Sequence, residues 1–441
     1  MKKFFLILFF IIFLIGLIFS YNYFNTLNPV NYLPDDSKVV FKINNFGDFL
    51  KLNIENLNNK QFKKIKNNIF VRLFSFKNFY LSIDSNDKYY LYTKLSFLAR
   101  FFDKTGLIKS NILCITNNKS YRFEETDFYI KNRLEKIFSK KEDILYFANM
   151  EKIYPHELLK DIDIFGDIKY FKKNNLIKID YNVPNKYSEI KYKQNKINIK
   201  EIPDRFDFYI DGNIDSLEKH YLQFKRYISE SEIYKKYFKN KNNLFISTGV
   251  DFENDFVDIL NGRFFIGFKN KNLFGIIQGI DENRINEIEN RLKMRYPVDF
   301  ENRSYNDLKY KTMKIRGLAG FLALNLYTDR IIKLKKPFYY VESDNLYFFD
   351  NYEFMRIYTD EDNNYNLSND KNYNLYKKYI DKEKNNLLIF INKRYVNKIK
   401  NKIVKKYVKF LFINSDFNEN KINGSLLIKL KTLEGESLWI F

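Results

Sequence analysis

The chain reads as an α+β protein: an N-terminal transmembrane helix, then two similar halves, each an antiparallel sheet with packed helices. Three observations predict this. An uncharged, apolar run fills Phe4–Ser20. Beyond it, apolar-polar alternation and three-four helical spacing occur side by side, the mixture expected of α+β folds. Finally, "LPDDSKVVFKIN" at 33–44 returns at 202–213 as "IPDRFDFYIDGN".

The first element is "MKKFFLILFFIIFLIGLIFSYNYF". At 1.5 Å per residue, Phe4–Ser20 spans roughly 25 Å, and Tyr21, Tyr23 and Phe24 extend it to about bilayer thickness. Lys2 and Lys3 belong on the cytoplasmic side. Ile18 stands where a cleavage site wants a small residue, so residues 1–24 read as an uncleaved signal-anchor. That predicts a single-pass protein of the bacterial cytoplasmic membrane with its bulk outside.

The halves follow at 25–200 and 201–432, with a tail at 433–441. Each opens with the repeated strand. After the second copy, Leu217, Tyr221, Phe224 and Ile228 make one helical face. Two further pairs recur in the same order: "YRFEETDF" (121–128) with "YFFDNYEF" (347–354), and "LYFANMEKI" (145–153) with "LIFINKRYV" (388–396). The second half carries an insertion between its first two markers. There Phe252, Phe256 and Ile259 predict a helix with Gly262 as its C-cap. Alternating strands then run to Gly279, and Ile285, Ile288 and Leu292 predict another helix.

Three stretches, "LPDDSKVVFKIN" after an anchor, "TGVDFENDFVDILNGRFFIGF" and "PFYYVESDNLYFFDN", resemble a family of bacterial membrane-anchored envelope proteins known only as a domain of unknown function. The resemblance implies an envelope location and supplies no catalytic residue.

Composition narrows the chemistry. The 441 residues are 45% apolar and 29% charged, with 19% aromatics, which suits an ordered, sheet-rich chain. One cysteine, Cys114, forbids an intramolecular disulfide, and two histidines, His156 and His220, leave little material for a metal site. Phosphate-loop, zinc-protease and nucleophile-elbow motifs are absent. "DFNENKINGSLL" (416–427) has Lys421 where a calcium loop needs Gly and Leu427 where it needs Glu. No enzyme activity and no cofactor are therefore expected.

The net charge of +21 suits an anionic partner. Residues 168–200 interleave lysines with aromatics, but outside the membrane nucleic acid is not the expected partner. "KRYVNKIKNKIVKKYVK" (393–409) is acid-free, and Lys398, Lys402, Lys405 and Lys409 would line one face of a basic amphipathic helix, a candidate contact with an anionic surface. The functional expectation is a membrane-anchored extracytoplasmic binding or scaffold protein of the cell envelope. Its partners would be the membrane through Phe4–Ser20, anionic lipid or envelope polymer, or another envelope protein. The alternatives are an envelope hydrolase with a carboxylate site invisible in sequence, and a lipid-handling module at the membrane surface.

Overall fold

A computed structural model of the protein describes residues 28–44, 75–95, 108–184, 206–315, 337–360, 370–379, 387–397, 402–418 and 421–431, with short breaks inside the longer ranges. They fold as two compact units. The first runs to Tyr170 and takes back Ile179–Val183; the second holds Phe171–Lys178 and continues from Pro184 to Lys431.

In the first unit a 3-10 turn (Pro29–Tyr32) precedes strands β1 (Ser37–Ile43), β2 (Ser75–Asp84), β3 (Tyr89–Leu95), β4 (Ile108–Lys109) and β5 (Ile112–Thr116). Helix α1 (Phe128–Phe138), β6 (Ile144–Asn149), the short α2 (Met150–Ile153), β7 (Asp163–Phe171) and β8 (Leu176–Pro184) follow. The strands pair antiparallel in the order β4-β5-β3-β2-β1-β6-β7. β8 runs beside β7, where the Asp180 carbonyl lies so close to Gly166 that a Cβ there would overlap it. Val40, Tyr80, Tyr92, Cys114, Leu134 and Phe147 form the core between sheet and α1. Lys42, buried on the central strand, donates from Nζ to the Phe138 carbonyl at 2.6 Å and so satisfies an orphan acceptor at the end of α1.

The second unit contains β9 (Phe208–Ile214), helices α3 (Leu217–Ile228) and α4 (Glu232–Thr248), a π-helical turn (Phe252–Val257), β10 (Gly262–Lys269) and β11 (Asn272–Gln278). Helix α5 (Glu282–Arg295), β12 (Val298–Tyr305), β13 (Leu308–Ile315), β14 (Phe338–Glu342) and β15 (Asn345–Phe349) come next. The remainder is α6 (Tyr352–Asp360), α7 (Lys371–Tyr379), β16 (Leu387–Ile391), α8 (Lys393–Val396), α9 (Lys402–Tyr407), β17 (Val408–Asn418) and β18 (Lys421–Leu430). Pairing runs β12-β13-β14-β15-β11-β10-β9-β16-β17-β18. Stacked and tilted rings of Tyr209, Phe265, Phe274, Phe349, Phe390 and Phe412 build the core.

The order β4-β5-β3-β2-β1-β6-β7 in the first unit matches β14-β15-β11-β10-β9-β16-β17 in the second. In both, the opening strand is central. "YRFEETDF" and "YFFDNYEF" are not equivalent, however. Tyr121–Asp127 is irregular chain ahead of α1, whereas Tyr347 and Phe349 lie inside β15. The predicted helix with Gly262 as C-cap is a π turn, and Gly262 begins β10.

Two expectations are corrected. In place of halves in which helices and sheet share the fold, each unit is mostly antiparallel strand, with short helices as accessories. Strand periodicity marks each strand but not how many pair in a row, and that is where the α+β expectation fails. The transmembrane anchor, and with it the single-pass membrane location, is likewise not supported. No described helix is long and apolar enough to cross a membrane. The longest, α4, has 17 residues, and Lys235, Lys236, Lys239 and Lys241 interrupt it. Phe4–Ser20 itself lies outside the described residues.

Candidate functional site

The first unit presents large apolar side chains to solvent at the start of α1 and the end of α2. Phe128 is 76% exposed and Tyr129 73%, at the first two positions of α1; Ile153 is 42% and Tyr154 62% exposed, at the end of α2. Both helix ends are tied to the turn before β1. Asp35 Oδ1 accepts from the Asp127 amide at 2.8 Å, and the Asp35 carbonyl accepts from Lys152 Nζ at 2.8 Å. Asp127 in turn caps α1, its Oδ1 accepting from the amides of Tyr129 and Ile130. Thr126, buried one residue earlier, donates its hydroxyl to the Val30 and Leu33 carbonyls at 2.8 and 2.9 Å. The exposed rings thus follow a backbone held by the Asp35 and Asp127 carboxylates at the surface and by the buried bonds of Thr126.

Carboxylates surround this surface. Asp35, Asp36, Glu124, Glu125 and Asp127 are all exposed. Asp36 accepts from Ser85 Oγ at 2.9 Å. Burial raises the Tyr32 phenol, and Glu125 raises it further by its charge, which places that carboxylate beside the same turn.

Three polar clusters elsewhere have chemical interest. On β7, burial raises the Asp167 carboxyl above the usual carboxylate range, with Asp180 and Glu142 adding repulsion. Lys169 Nζ stands 3.4 Å from Asp167 and 3.2 Å from Glu142, and opposes that rise. In the second unit Glu253, on the π turn, accepts from Tyr221 at 2.5 Å and Lys225 at 2.9 Å, with Lys241 at 2.7 Å. Burial works against these partners, yet they hold its carboxyl down at about 2. Arg263 reaches Asp211 through Nη2 at 3.2 and 3.1 Å, a two-point ion pair between the neighbouring strands β9 and β10. In the last two clusters carboxylate and cation satisfy each other. Of the three clusters, the one around Asp167 alone keeps a destabilised charge.

Three of the four predicted lysines lie in described elements, and those elements are not one helix. Lys402 and Lys405 belong to α9, and Lys409 is an exposed residue of β17. Lys398 lies outside the described residues. The segment that reads as one helix is α8, α9 and the start of β17, because Val408, Phe410 and Phe412 are drawn into the sheet's core. His220 is on α3, and His156 lies outside the described residues. No group of potential metal ligands exists among the described residues.

Phe128 and Tyr129 escaped the sequence reading. The signal was present: they follow an Asp cap and fall off the stripe Ile130, Leu134, Ile137 that faces the core. Comparisons with protein-family models, curated proteins and solved structures find no match.

Proposed function

We propose that the protein is a non-catalytic binding or scaffold protein whose binding face is the aromatic surface around Asp35. The observation that carries this reading is the exposure of Phe128 and Tyr129 on elements pinned by Asp35 and Thr126. Exposed rings on a rigid base suit recognition, since aromatic anchors give much contact area for little lost freedom. The test is a photo-crosslinking amino acid at position 129, with a control at exposed Lys239 on α4. Discrete crosslinked species in the producing cells at 129 and not at 239 are expected; the same pattern at both positions, or none, would sink the reading.

One observation favours a hydrolase instead. Asp167, raised by burial and by neighbouring acids, is the kind of carboxyl that serves as a general acid. Turnover of a fluorogenic ester or glycoside that is lost in Asp167→Asn, with the fold intact by circular dichroism, would favour that reading over the first.

A further inference from the structure

We infer that the surface around Asp35 docks a cationic partner, a Lys- or Arg-bearing segment of another protein. This rests on the binding reading above and names the chemistry of what is bound. Phe128, Tyr129 and Ile153 are exposed on the elements tied to Asp35, and carboxylates outnumber cations beside them. Asp36, Glu124 and Glu125 are exposed, against exposed Arg122 and against Lys152, whose Nζ is bonded to the Asp35 carbonyl. Those carboxylates oppose the sign of the chain, whose net charge is +21. Within a chain of that net charge, carboxylates stand next to the exposed rings.

Rings and carboxylates together suit long cationic side chains, whose stems lie on the rings while their heads meet carboxylate or π face. An anionic lipid or polymer would meet repulsion there. An uncharged apolar partner would gain nothing from the carboxylates.

The second unit contains a filled version of the same position. Asn351 caps α6 as Asp127 caps α1, accepting from the amides of Glu353 and Phe354. The first helical residue after each cap is therefore equivalent: Phe128 in one unit, Tyr352 in the other. Tyr352 is covered by Tyr305, Tyr310 and Phe338, with ring centroids 6.2, 6.1 and 5.8 Å away. Three strands, β12, β13 and β14, thus cover the counterpart position with aromatic side chains.

The test is fluorescence anisotropy of the full chain with labelled octapeptides alternating Tyr with Lys, Ser or Glu. The Lys peptide should bind about tenfold more tightly than the Ser peptide, and F128S/Y129S should weaken it about tenfold. E124Q/E125Q should weaken it about fivefold, with affinity falling as salt rises. Thermal melts of both variants establish that they fold. The Glu peptide, if held elsewhere on the basic surface, should be indifferent to F128S/Y129S. Equal loss of the Lys and Ser peptides in F128S/Y129S, with E124Q/E125Q silent, would overturn the cationic assignment while the binding face stood. Lys-peptide binding unchanged in F128S/Y129S would overturn both.

Discussion

At the scale of single residues, the described carboxylates divide by what surrounds them. Asp84 is buried but well supplied, accepting from the amides of Asn86 and Lys88 at 2.9 and 2.8 Å and from Tyr90 at 2.9 Å. Glu253 has two lysines and a tyrosine as partners, which lower its carboxyl to about 2 from an ordinary 4.5. A lowered folded value means stability that is present above the unfolded value and lost as pH falls through the folded one. Glu253→Gln should therefore cost about 1 kcal/mol at pH 5, after allowance for screening by water. The difference from the native chain should shrink toward zero as pH approaches 2, which urea unfolding at both pH values would read. A constant difference would mean that the glutamate acts through packing alone.

Among elements, the most informative are the two short helices that follow β6 and β16. Asn149 caps α2 by accepting from the Lys152 amide at 2.9 Å, and its Nδ2 donates to buried Asp163. Asn392 caps α8 by accepting from the Arg394 amide at 2.8 Å, and its Nδ2 donates to Asp207 at 2.6 Å. Each should cost about 1–2 kcal/mol when changed to Ala, and the two losses should add, because the sites share no partner. Denaturant unfolding of the two single variants and the double variant checks this; a double variant no worse than either single would contradict it.

These caps were legible in sequence, as the Asn shared by "LYFANMEKI" and "LIFINKRYV". So were the two opening strands, whose Pro-Asp entry and alternation need no tertiary information. The marker at Tyr121 was misleading. Aromatic-acid spacing survives in loop and strand alike, so Tyr121 and Tyr347 match in letters and not in position. In the basic segment, three-four spacing at Val396, Ile399 and Ile403 passes into the alternation of Val408, Phe410 and Phe412, and core burial decides the boundary. The exposed Phe128 differs from the buried Phe138 in its place relative to the stripe Ile130, Leu134 and Ile137, a pattern carried by the sequence itself.

At the scale of the whole molecule, the boundary between the units does not follow the repeat. The second unit takes Phe171–Lys178 from the strand pair that ends the first half. Within that unit Phe171 lies against Tyr379 with ring centroids 4.6 Å apart, Leu176 is fully buried, and the Leu430 amide donates to the Asn175 carbonyl at 3.0 Å. A fragment of residues 201–431 should consequently be less stable than one of residues 171–431 by about 3 kcal/mol or more, from the lost burial of Phe171 and Leu176. Thermal melts followed by circular dichroism would show it; equal midpoints would place the boundary at the repeat after all.

The central position of each opening strand has a consequence for synthesis on the ribosome. β1 is flanked by β2 and β6, and β9 by β10 and β16. Each is made first among its neighbours, yet its second flank is encoded roughly 100 residues later in one unit and roughly 180 in the other, roughly 5–40 s at usual elongation rates. Throughout that interval a nascent strand rich in Val, Phe, Tyr and Ile offers an open hydrogen-bonding edge. Production of this protein should depend on how well the cell shelters those two strands while translation catches up.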